Sequence, residues 1–243
     1  MNITVARLTA RSLLGRRRSL LLLALPGLLL LLSVVIRLVA GPGTDLTVSL
    51  LAGFALGTLV PLIGLIAGTG AIGPEIDDGS IVYLLSKPVS RYTVIVSKLV
   101  VAIGIVLAFC ALPTLLAGLV LAGWTQHLAL AFAVGATVAG AAYCAVFLLL
   151  SVLTRNAVVI GLLYALIWES AIGQFVPGAR DLSIQQWSLA VVKALVSVPA
   201  DGAGAIDSAV RLPTGSVALA VVLVGATAYA GLRLRSLRLA GED

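Results

Sequence analysis

Glu75, Asp77 and Asp78 are three of the chain's ten acidic residues and lie within four positions of one another. A short apolar stretch follows, with Ile81, Tyr83, Leu84 and Leu85, and then the bases Lys87, Arg91 and Lys98. Apolar side chains rimmed by charge outside a hydrophobic run are the chemistry of recognition: they form a docking surface for another protein. The other reading is a helix folded back onto its own bundle. Glu169 stands alone in an apolar run, with Arg180 the nearest base in sequence. It reads either as a polar point on a substrate route or as half of an ion pair with Arg180 that locks the neighbouring segment. The single histidine, His127, sits among turn residues, and Cys110 and Cys144 lie inside apolar runs without metal or disulfide spacing. There is no Gly-x-x-x-x-Gly-Lys-[Ser/Thr] phosphate loop and no His-Glu-x-x-His motif. Catalysis by this chain alone is not expected, and it is expected to bind no metal or cofactor of its own.

The elements that must position these residues are membrane helices. Of the 243 residues, 60% are hydrophobic and 11% charged, and the mean hydropathy is +1.16. Soluble domains carry about 45–50% apolar and about 25% charged residues. The composition excludes a water-soluble enzyme, a disordered chain and a disulfide scaffold. A net charge of +6 resembles a nucleic-acid footprint, but the bases sit in clusters between apolar runs, as membrane topology requires. A bilayer core needs about 20 apolar helical residues per crossing. Six spans follow: 20–36, 47–72 (with Pro61 kinking it), one within 92–122, 128–153, 156–175 and 212–232. The uncharged run 99–154 is too long for one helix, so Gly123 to His127 forms a turn with Trp124 at the interface. Six spans put twelve of the sixteen Lys and Arg on the side of both termini, which the positive-inside rule makes the cytoplasm. A cleaved signal peptide is the competing reading of the N-terminus.

Three segments lie outside the spans. Residues 1–18 carry Arg7, Arg11, Arg16, Arg17 and Arg18. They read as a helix on the cytoplasmic membrane surface with its arginines toward anionic headgroups, or as a basic tail. Residues 74–91 hold the acidic and apolar cluster, stopped before Pro88. Residues 176–213 are long for a bundle connection and read as one or two short helices that re-enter or cap the outer face. Glu169 falls about 20 Å from the start of the fifth span, so it should face the protein interior or find a partner near the outer rim. Gly135, Gly140 and Ala141 are small enough for close helix packing.

These residues resemble a known family: the permease subunits of ATP-binding-cassette transporters of the type-2 exporter group. Arg7 through Arg18 is similar to that family's surface helix leading into the first span. Residues 75–98, with Glu75, Asp78, Gly79, Leu84, Leu85, Pro88 and Arg91, resemble its cytoplasmic coupling segment. The stretch from Tyr164 to Glu169, followed by 177–183, is similar to the fifth span and outer loop of some members. The resemblance implies an all-α polytopic membrane protein forming a single transmembrane domain over 1–243. That domain has six transmembrane helices, an N-terminal surface helix, a cytoplasmic coupling helix between spans two and three, and short outer helices between spans five and six. It implies a second permease subunit, as homodimer or heterodimer, and a separate ATPase subunit that carries ATP and Mg. Glu75, Asp78, Gly79, Ile81, Tyr83, Leu84, Leu85, Pro88 and Arg91 would meet that ATPase. It implies export through a bacterial inner membrane; its motifs do not identify the cargo, and the apolar interior favours a hydrophobic small molecule or lipid. A non-transport membrane scaffold and a stand-alone channel or secondary carrier are the alternatives, the last resting on Glu169.

Overall fold

The computed structural model describes residues 16–79, 91–124, 127–172, 178, 180–196 and 205–236. Among them there is no strand. Helix α1 is Arg16–Ala40. Helix α2 covers 44–77 as one rod with a wide middle: Thr44–Ser49, a π-helical stretch Leu50–Leu59, then Val60–Asp77. Helix α3 covers 91–122 with a π-turn at Leu107–Ala111, and α4 is Leu128–Leu153. Helix α5 covers 157–172, its second half, Tyr164–Ile172, again π-helical. A 3-10 turn at Arg180–Leu182 leads into α6, Ile184–Leu195, and α7 is Leu212–Ser236.

Two of the π segments have a visible cause. Pro61 and Pro113 sit directly after Leu50–Leu59 and Leu107–Ala111. A proline inside a helix has no N–H to give and its ring crowds the carbonyl four residues back. The preceding turn relieves both by widening. Where the sequence leads one to expect a kink at Pro61, the structure shows a widened stretch N-terminal to it.

Among the described residues five helices are long and apolar enough to cross a membrane: Leu22–Ala40, Thr44–Ile76, Tyr92–Ala122, Leu128–Leu153 and Leu212–Leu234. Of the fifth expected span, 156–175, the structure describes a helix over 157–172. Its apolar part is Ala157–Glu169. The residues that would lengthen it, 173–177, lie outside the described set, as do 1–15 and 80–90.

Side-chain bonds give the helices their directions. Arg37 Nη1 donates to the Leu121 carbonyl at 3.0 Å, joining the C-terminal ends of α1 and α3. Lys98, early in α3, donates to the Ala71 carbonyl late in α2. A Cβ on Gly231 would fall 2.4 Å from the Tyr92 ring, so the end of α7 meets the start of α3. The bundle therefore has a Lys98 end and an Arg37 end. Helices α1 to α4 alternate in direction between them, and α7 finishes at the Lys98 end.

The core sits on α2 and α4. Of their apolar stretches 61% and 56% of residues are buried, against 22% for α1 and α7, so α1 and α7 are the outer flanks of the bundle. Gly64 and Gly68 let α2 and α4 touch backbone to backbone. A Cβ on Gly68 would stand 2.9 Å from the Cys144 carbonyl oxygen and 2.9 Å from Phe147 Cβ. This is the small-residue contact that replaces the hydrophobic effect between helices in lipid. Gly135 and Gly140 likewise accept Val192 and Val106 from within the chain. Gly68→Val is expected to cost about 1–3 kcal/mol by overpacking against backbone atoms that cannot yield. A lowered melting temperature of the detergent-solubilised chain checks this, with Gly53→Val, where a Cβ meets open space, as the control.

Several polar side chains inside the helices are satisfied locally. Thr69, Ser151 and Ser33 return their hydroxyls to the carbonyls four residues back, Leu65, Phe147 and Leu29. Such back-bonding spares an apolar environment any unmet donor.

Candidate functional site

At the Lys98 end the chain builds a buried ion pair. Helix α2 ends at Asp77, and Gly79 follows in the left-handed region (φ +69°), its N–H closing on Ile76 O. This is the usual exit of a helix into a turn. Helix α3 starts at Arg91. Between them lies the 80–90 stretch, outside the described residues. Lys98 is fully buried; its Nζ donates to Glu75 Oε1 at 2.7 Å and to the Ala71 carbonyl at 2.6 Å. The Glu75 side chain is 31% exposed. An ammonium this deep persists only with a carboxylate and further acceptors around it. The pair therefore ties α2 to α3 at the base of the stretch they flank. Sequence reasoning counted Lys98 as the last of the cytoplasmic bases in the 75–98 segment, not as a partner of Glu75. Only the folded chain turns it inward onto α2, so no spacing rule could have found it.

Of the expected docking residues, Glu75 commits one carboxylate oxygen to Lys98, and Asp78 and Gly79 are exposed at the end of α2. Arg91 opens α3. Ile81, Tyr83, Leu84, Leu85 and Pro88 lie outside the described residues. Of the expected surface arginines, Arg16, Arg17 and Arg18 form the first turn of α1, and Arg7 and Arg11 lie outside.

Beside Asp78 a cleft of about 550 Å³ opens between α2, the end of α4 and the start of α5. Leu65, Ile66 and Val158 line its length, and Asp78 and Arg155 lie among its lining residues.

The opposite end carries a second buried charge. Glu169 is 1% exposed. Its carboxylate accepts the Ser183 hydroxyl, the Ile184 N–H at 3.1 Å and the Tyr164 hydroxyl at 3.3 Å. Ser183 also caps α6 by accepting the Gln186 N–H. The carboxylate thus sits at the N-terminus of α6, where orphan backbone donors favour a negative charge. The expected Glu169–Arg180 pair is corrected. Arg180 Nη2 pairs instead with Asp207 at 3.4 Å, largely in solvent, a contact worth about 0–1 kcal/mol at most. Three hydrogen-bond donors already surround Glu169, so its charge is met without a cation.

Helix α6 is buried from Ile184 through Ala190 and again at Val192, packed on α4 and α7. The outer segment expected to re-enter or cap the bundle contains this one described α-helix. Gln185 Nε2 reaches the Ala52 carbonyl at 2.9 Å, inside the π stretch of α2, and Gln186 Oε1 accepts the Ala209 N–H. A π segment is a place where carbonyls need partners, and Gln185 supplies one. These glutamines were not singled out in the sequence. Two amides inside 182–198 were the available signal, since amides in an apolar segment must be hydrogen-bonded.

Among the described residues no group of His, Cys, Asp and Glu could hold a metal ion. Cys110 and Cys144 are buried and unbridged. A family model described as ABC-2 family transporter protein matches residues 55–230, from the π stretch of α2 almost to the end of α7. No curated protein matches the chain.

Proposed function

The chain belongs to the ABC-2 transporter family, and from that premise we propose that it is the membrane-spanning subunit of an ATP-driven exporter. A permease of this family is a membrane transport component and not itself the catalyst. The subunit pairs with a second permease, and a separate ATPase subunit, carrying ATP and Mg, docks on the Lys98 end. That end faces the cytoplasm of a bacterium with both termini there, because it carries the arginines of the first turn of α1, Arg91, Arg155 and Arg233.

The observation that carries this reading is the Glu75–Lys98 pair. It holds together the two helices that flank 78–91, the segment whose apolar and charged residues suit a partner groove. Force applied there would pass along α2, whose π stretch is bonded to α6 through Gln185, and α6 is bonded to α5 through Glu169. Closure of the ATPases would move α2 and α3 as one lever and shift the opposite end. The cargo that suits an apolar bundle is a hydrophobic small molecule or a lipid.

Replacing Leu84 and Leu85 together by Asp is expected to abolish co-purification of the ATPase while leaving the chain inserted and monodisperse. Affinity purification from native membranes, followed by mass spectrometry of what stays bound, reads the outcome. A stoichiometric ATPase retained by the double variant would overturn the docking surface. No ATPase on the wild-type chain would move the reading to a scaffold.

A further inference from the structure

The geometry points to the cleft between α2, α4 and α5 as a binding site for a zwitterionic lipid, which lays one of its acyl chains along the cleft beneath a phosphate-and-amine head. The cleft's volume, about 550 Å³, is within the range of small-molecule sites, roughly 300–1,000 Å³. It runs along α2 from Leu65 to Asp78, about 20 Å of helix rise, the reach of a long acyl chain. The hydroxyls along its walls turn away from it: Thr69 and Ser151 donate to their own helix carbonyls. Thr154, whose Oγ1 accepts the Asn156 N–H, stands beside Arg155 at the charged end. What the trough presents along its length is therefore Leu65, Ile66 and Val158.

The charges are confined to one end. Arg155, in the turn between α4 and α5, and Asp78, at the end of α2, both line the cleft and are exposed. Neither forms an ion pair with another described residue. A guanidinium presents forked donors matched to a phosphate, and the carboxylate opposite suits an ammonium. A soluble dianion would have no use for the apolar trough and would be repelled by Asp78. A neutral hydrocarbon would have no use for the two charges. An amphiphile with both head charges satisfies the trough and both charges at once. Calling this amphiphile the exported cargo rests on the transport reading above; its binding does not.

The test is photolabelling of the purified full-length chain in nanodiscs. The probe is phosphatidylethanolamine with a photoactivatable diazirine in its acyl chain, and adducts are mapped by peptide mass spectrometry. Adducts are expected to concentrate on 65–78 and 151–158. Arg155→Gln should lower them by about fivefold or more, whereas Arg211→Gln, exposed at the start of α7, should leave them unchanged. Asp78→Asn is expected to shift competition from unlabelled phosphatidylethanolamine toward phosphatidic acid. Both substituted side chains are exposed, so the fold should survive either change, and elution as a single species confirms it. Adducts spread equally over α1, α7 and the cleft, or labelling indifferent to Arg155→Gln, would overturn the site. No ATPase subunit is needed, so failure of the transport reading and failure of this site are separately visible.

Discussion

Glu75→Ala is expected to destabilise the chain by about 3–5 kcal/mol, the usual cost of leaving one member of a buried ion pair uncompensated. The reason is asymmetric burial. Lys98 has no exposed surface, whereas Glu75 keeps 31% of its side chain in contact with solvent. Removing the carboxylate leaves the ammonium with the Ala71 carbonyl as its one remaining acceptor of the two described here. Lys98→Met should cost less, because the stranded Glu75 can turn toward the exposed side. The double change Glu75→Leu with Lys98→Met should recover most of the loss, since apolar replacement of a buried pair is often neutral or better. Unfolding of the detergent-solubilised chain, arranged as a double-mutant cycle, measures the coupling directly. Additive losses would show that the pair does not hold α2 to α3. If it does, the recovered double variant separates two roles: a stable chain that still binds its ATPase but transports poorly would show that the charge pair itself transmits the motion.

Glu169→Ala is expected to loosen α6 from the bundle. The substitution leaves the Ser183 hydroxyl, the Ile184 N–H and the Tyr164 hydroxyl without their shared acceptor. Each buried polar group left unmade costs about 1–3 kcal/mol, so this site rivals the ion pair in total. Glu169→Gln keeps one carbonyl acceptor in place and should cost distinctly less. Hydrogen exchange over 180–196 is the direct readout. Protection of α6 should fall in the alanine variant while that of α2 and α4 near Gly64 and Gly68 is retained. A carboxylate serving a substrate route would behave otherwise: Glu169→Ala would leave exchange in α6 unchanged and alter only transport.

Much of this protein was decided by its sequence alone. An apolar content of 60% with 11% charge leaves no soluble fold that could hide so much hydrocarbon, so helices must satisfy their own backbones in lipid. Runs longer than one bilayer crossing, broken at Gly41-Pro42-Gly43 and around Gly123, placed most helices within a few residues of where they stand. The family was also legible, because the acidic, apolar and basic succession of 74–98 is local in sequence. What tertiary structure alone decided are the pairings. Lys98 meets Glu75 across 23 positions, Gln185 meets Ala52 across 133, and Glu169 takes Ser183 and Ile184 in place of Arg180. Hydropathy reports how much of a segment avoids water, a property each residue carries with it. Which polar atom meets which depends on the rotation and depth of each helix against its neighbours, and those are set by contacts such as Gly68 on Cys144 that no single stretch of sequence contains.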